Sequence, residues 1–72
     1  MTGILSPFER ALLAELVESG DQPPAGLMLA LDEKLDAVLD TVADLHERGM
    51  LSRDGFSTCR VTDRGRAALE RE

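Results

Sequence analysis

Five carboxylates, Glu33, Asp36, Asp40, Asp44 and Glu47, recur at spacings of three and four within LDEKLDAVLDTVADLHERGML, residues 31–51. On a helix turning about 100° per residue they fall in one arc roughly 80° wide. Ligands strung along a single helix cannot surround a cation, so the row implies no metal site. What it can do is repel a polyanion or attract a basic surface. Helix stability does not call for it: Asp36–Asp40 and Asp40–Asp44 are like-charge i, i+4 pairs, each costing ~0.2–0.5 kcal/mol in an isolated helix. Asp44 and Glu47 also lie toward the negative end of the helix dipole. Lys34, Thr41 and Arg48 form a thin seam along one flank of the row. Beyond residue 47 come Arg48, Arg53, Arg60, Arg64 and Arg66, whose guanidinium forks suit phosphate oxygens; they equally suit the carboxylates of the acidic half, in ion pairs of small energetic worth. His46 and Cys59 supply the components of a nucleophile–base pair, but no third orienting group or oxyanion loop accompanies them. A structural histidine and a packed cysteine are expected, and neither catalysis nor a cofactor.

The chain has 72 residues and a net charge of −6, unevenly spread. Residues 1–47 hold ten acids against Arg10 and Lys34, a net of −8, while residues 48–72 hold six arginines against four acids, a net of +2. One end is therefore suited to an anion and the other to a cation. The arginine-rich, acidic composition fits a GC-rich genome or a salt-adapted host equally. A hydrophobic content of 43% supports a packed fold rather than disorder. A domain this short buries only around 60% of its unfolded surface, so its core is marginal and a homodimer is a natural expectation. With no Trp or Tyr, Phe8 and Phe56 are the whole aromatic complement. The single cysteine excludes an intramolecular disulfide and a cysteine-based zinc site. No apolar run approaches the ~20 residues of a membrane span and no signal-peptide pattern opens the chain, so the expected compartment is the cytoplasm.

These side chains need elements to hold them. SPFE (Ser6 to Glu9) predicts a helix start: Ser6 caps, Pro7 occupies the first helical position and Glu9 completes a capping box. Phe8, Leu12 and Leu16, with Leu13 and Val17 beside them, make a one-sided helix ending near Ser19-Gly20. GDQPP is a loop, and Pro24 opens a short, nearly all-apolar second helix through Leu31. There Leu27 and Leu31 are expected inside and Leu29 points elsewhere; an exposed Met28 or Leu29 would mark an oligomer or partner surface. The third helix is expected to start near Asp32 as N-cap and to end at Gly49. Its Leu35, Val38, Leu39, Val42 and Leu45 fall in an inward arc about 120° wide. Met50–Arg53 reads as a strand, Asp54-Gly55 as a hairpin turn, and Ser57–Val61 as a second strand with Cys59 and Val61 on one face and Thr58 and Arg60 on the other. Thr62 then caps a last short helix.

The order of three helices, a two-stranded hairpin and a short helix suggests a winged helix: an α+β single domain spanning residues 1–72. The phrases LHERGMLSRD and CRVTDRGRAAL sharpen this. They resemble the end of the recognition helix and the wing of winged helix-turn-helix regulators of the MarR and PadR type, and of small phage-repressor-like regulators. In those families the phrase runs roughly L-x-x-x-G-L-[LIV]-x-R, a turn, then [LIV]-T-x-x-G. Leu45, Gly49, Met50, Leu51 and Arg53 match the first part; Val61, Thr62 and Gly65 match the second. The resemblance implies binding of double-stranded DNA, with the third helix in the major groove and the wing on the phosphates. The residues placed to make that contact are Lys34, Thr41, Arg48, Arg53 and Arg60.

Against that expectation stands the acidic row, and three readings of it remain. It is a solvated surface, natural where screening is nearly complete (a Debye length of ~3 Å at 1 M salt). It is a docking face, through Asp36, Asp40 and Asp44 or through Met28 and Leu29, for a basic or hydrophobic protein partner. Or it stands clear of DNA, leaving the contact to the Lys34–Thr41–Arg48 seam and the wing.

Overall fold

Ser6 starts the first helix as predicted. Its Oγ accepts the Glu9 amide at 3.1 Å, and Glu9 Oε1 accepts the Ser6 amide at 2.9 Å. A computed structural model describes residues 5–54 and 58–71 of the chain. The helix they open, α1 (Pro7–Ser19), buries Leu12, Leu13 and Leu16. Phe8 packs partly buried against them; Val17 turns outward.

The second helix, α2 (Pro24–Leu31), begins on Pro24 and inserts Leu27 completely into the core. Met28 and Leu31 lie half-buried against the core edge, while Leu29 is 77% exposed. The helix ends at Asp32, which adopts the left-handed conformation (φ 53°) and returns its amide to Leu29. Asp32 thus closes α2 rather than capping the third helix. Aspartate suits both positions, since its short polar side chain tolerates left-handed backbone as well as N-caps. The reversal between two packed helices decides the outcome here.

The third helix, α3 (Leu35–Glu47), therefore starts two residues later than expected, with Lys34 at its N-cap and no side-chain cap. Val38, Val42 and Leu45 are completely buried, but Leu35 is 42% exposed and Leu39 38%. The expected inward arc was too wide. The three buried side chains span about 60° of the helix surface, and Leu35 and Leu39 form a shoulder to one side. At the far end Gly49 (φ 78°) reverses the chain. The Gly49 amide reaches His46 O at 3.0 Å and the Met50 amide reaches Leu45 O at 2.9 Å, the paired bonds of a Schellman ending.

Strands β1 (Leu51–Arg53) and β2 (Cys59–Val61) then pair antiparallel, with Leu51 opposite Val61, Ser52 opposite Arg60 and Arg53 opposite Cys59. Both strands are shorter than expected. Gly55, Phe56 and Ser57, part of the expected turn and second strand, lie outside the described residues. Leu51, Cys59 and Val61 face the core. The α1–α2 loop joins this hairpin through a single antiparallel bridge: Gln22 and Cys59 exchange main-chain bonds of 3.2 and 2.8 Å.

The last helix, α4 (Asp63–Arg71), is tied to the end of α3 by the T-x-x-G phrase. Thr62 Oγ1 donates to Gly49 O at 2.7 Å and accepts the Gly65 amide at 3.1 Å. The Thr62 amide donates to Met50 O at 3.2 Å. Gly65 is buried directly against that carbonyl: a Cβ there would overlap Met50 O and lie 2.9 Å from Val61 Cγ2. The glycine is thus a requirement of close approach.

Candidate nucleic-acid interface

The acidic row of α3 is wholly on the surface. Glu33, Asp36, Asp40, Asp44 and Glu47 are all exposed. The seam beside it is less uniform. Lys34 is exposed at the helix start, and Thr41 is half-buried. Arg48 is occupied: its Nη2 lies 2.7 Å from Glu9 Oε2 and 2.7 Å from Asp44 Oδ2. Hydrogen bonding to Glu9 and the charges of both acids raise its pKa against the opposing effect of burial. Arg64 Nη1 donates to Arg48 O at 3.2 Å. Arg48, expected among the DNA contacts as part of the α3 seam, clamps the end of α3 to the start of α1.

Glu9 occupies the middle of that clamp. One oxygen accepts the Ser6 amide and the other meets Arg48. Burial acts to raise its pKa, but the Ser6 amide and the Arg48 guanidinium outweigh burial and hold the carboxyl below its ordinary value. Sequence reasoning assigned Glu9 to the capping box alone, because its second partner lies 39 positions away.

On the hairpin, Arg53 and Arg60 are both exposed. They line one shallow depression with Ser52, Asp54, Thr58 and Asp21. Arg60 Nε donates to Asp21 Oδ2 at 3.0 Å, with the two side chains 66% and 41% exposed. Asp54 Oδ1 accepts the Thr58 amide at 2.9 Å and holds the two ends of the hairpin loop together. The sequence places Arg53 and Arg60 on the hairpin but offers no signal for Asp21, which arrives from the α1–α2 loop.

His46 and Cys59 do not form a nucleophile–base pair: His46 is exposed on α3, whereas Cys59 is buried beneath β2, packed as expected. Burial, with a smaller push from Asp54 and an opposing pull from Arg53, raises the thiol pKa. Among the described residues no cluster of three or more His, Cys, Asp or Glu side chains could hold a metal ion. No helix among them is long and apolar enough to cross a membrane.

The sequence matches no protein-family model, and no curated protein is significantly similar to it. Solved structures do resemble the fold. A MarR family protein from Bacillus stearothermophilus superposes with a TM-score of 0.86 at 21% identity, covering 94% of this chain and 51% of that one. A transcriptional regulator from Thermotoga maritima superposes with a TM-score of 0.82 at 22% identity, covering 90% and 49% respectively. The chain thus spans about half the length of either protein. At these identities the likeness is one of fold, and the fold is a winged helix of the kind these regulators contain.

Proposed function

We propose that this chain is a DNA-binding winged-helix domain of a transcriptional regulator, without a catalytic role. It contacts duplex phosphates through Arg53 and Arg60 on the wing and approaches the groove with Lys34 and Thr41. The observation that carries the reading is the wing itself: two exposed guanidiniums on a hairpin that follows α3 in the order found in regulators of this fold. The Arg60–Asp21 contact does not oppose it. An exposed ion pair is worth ~0.2–1 kcal/mol, so the guanidinium readily exchanges a carboxylate for a phosphate. Arg48, held by two acids, is left out of the contact. The acidic row lowers affinity at low salt, and screening relieves that repulsion as salt rises. A domain with so small a core acts most naturally as a homodimer, and the cytoplasm is the compartment in which such a regulator meets DNA.

The test is a duplex titration across salt concentrations. Arg53→Ala and Arg60→Ala should each weaken binding and flatten the salt slope by about one. Unchanged affinity in both would remove the wing from the interface.

A second reading rests on a different observation, the exposure of Leu29 (77%) together with Leu35 and Leu39. In it α2 and the acidic face, through Met28, Leu29, Asp36, Asp40 and Asp44, dock a basic protein partner. No DNA binding even at low salt, with association to a defined basic partner lost in Asp36→Lys/Asp40→Lys, would favour it over the first.

A further inference from the structure

We propose that the depression between the α1–α2 loop and the wing is a seat for one phosphate oxyanion, and that the Asp21 carboxylate stands in for the phosphate in the free protein. The inference rests on the DNA-binding reading and deepens it, by naming a residue that opposes binding.

The seat is built from two elements distant in sequence. Arg53 and Arg60, with Ser52 and Thr58, line a single depression of about 120 Å³. That is room for a few waters at ~30 Å³ each, or for one tetrahedral oxyanion. Forked N–H donors with neighbouring hydroxyls are the donor set that phosphate oxygens take. The acceptor now in place is Asp21, whose Oδ2 takes the Arg60 Nε hydrogen at 3.0 Å. Asp54, the other acid on the rim, is bonded to the Thr58 amide. Arg53 makes no ion pair with any described residue.

Asp21 is held where it can compete. Its neighbour Gln22 is bridged to Cys59 by two main-chain bonds, and Cys59 adjoins Arg60 on β2. The carboxylate therefore stays beside the guanidinium without loop closure having to bring it there. A duplex phosphate entering the seat must displace Asp21 from Arg60 and then tolerate its charge nearby. Binding through Arg60 is weakened by what the exposed pair contributes, about two- to fivefold in affinity. Part of the counterion release is lost as well, because a guanidinium already neutralised by a carboxylate gains less from a phosphate.

The experiment titrates the full chain against labelled duplex DNA by fluorescence anisotropy at several salt concentrations. It compares the wild type, Asp21→Asn, Asp21→Glu, Arg60→Ala and the Asp21→Asn/Arg60→Ala double variant. Asp21→Asn should bind two- to fivefold tighter with a salt slope steeper by up to about one. Asp21→Glu, which keeps the charge, should stay near the wild type, and the double variant should show none of the gain. Wild-type affinity and slope in Asp21→Asn would overturn the proposal, as would an equal gain in the double variant. A second arm separates its failure from that of the DNA reading. Inorganic phosphate is followed by NMR at the Arg53 and Arg60 side-chain N–H groups. If no variant binds duplex, the DNA reading fails. A stronger phosphate response in Asp21→Asn than in the wild type then still upholds the seat, and an equal response removes it.

Discussion

Replacing Gly65 by alanine sets two effects of opposite sign against each other, and the structure says which prevails. Helix propensity favours alanine by up to ~1 kcal/mol in a helix interior, less at this position in the first turn of α4. Against it, the new Cβ would overlap the Met50 carbonyl oxygen and lie 2.9 Å from Val61 Cγ2. The carbonyl belongs to the backbone and cannot swing aside as a side-chain tip would. Relief requires α4 to withdraw, which loosens the 3.2 Å bond from the Thr62 amide to Met50 O and the 2.7 Å bond from Thr62 Oγ1 to Gly49 O. Overpacking of this kind costs ~1–3 kcal/mol, so the net effect is destabilising by roughly 1–2 kcal/mol. That is a large share of the ~4–10 kcal/mol expected for a domain of this size. Urea unfolding followed by circular dichroism should show a lower midpoint with an unchanged slope. Gly26→Ala is the internal control. Its Cβ meets the flexible end of Gln22, Oε1 at 2.8 Å, so it should be neutral or stabilising. A Gly65→Ala protein as stable as the wild type would refute the close-approach argument.

Arg48→Ala should lower stability by about 1 kcal/mol, discounted for the 30% exposure of the side chain, and leave the salt slope of DNA binding unchanged; a slope flattened by one would return Arg48 to the interface. Because the folded-state pKa of Glu9 is depressed, its contribution is fully present above the ordinary carboxyl value of 4.5 and is lost as pH falls through the folded value. Glu9→Gln should therefore flatten the acid limb of a midpoint-against-pH curve, and an identical limb would contradict the assignment. Asp40→Asn removes two like-charge i, i+4 contacts and should stabilise α3 by roughly 0.4–1 kcal/mol while tightening duplex binding; weaker binding would mean that the carboxylate itself contacts the bases. Cys59, buried and with its pKa raised, should resist thiol reagents until the chain unfolds, at a rate that tracks unfolding.

Features read correctly from the sequence are those whose partners lie within a few residues. Ser6 and Glu9 form their capping box, Gly49 turns the end of α3, and Thr62 caps α4 by accepting the Gly65 amide. Asp32 shows the limit of such local reading, since its side chain suits two backbone roles and only the packing of α2 on α3 selects one. Leu35 and Leu39 show a second limit: periodicity finds the apolar side of a helix, but the width of that side in contact depends on what is packed against it. The pairs Glu9–Arg48 and Asp21–Arg60 are each separated by 39 positions. Nothing in either local neighbourhood announces them, and together they set Arg48, which ties the end of α3 to α1, apart from Arg60, which is paired but well exposed on the hairpin.

The bridge between Gln22 and Cys59 uses peptide groups alone. A peptide N–H and C=O are the same whatever residue bears them, so the bridge itself does not depend on the Gln22 side chain, while the Cys59 side chain is held separately by its burial in the core. Charge on the outer face is free to vary, even from basic to acidic, without the scaffold shifting beneath it.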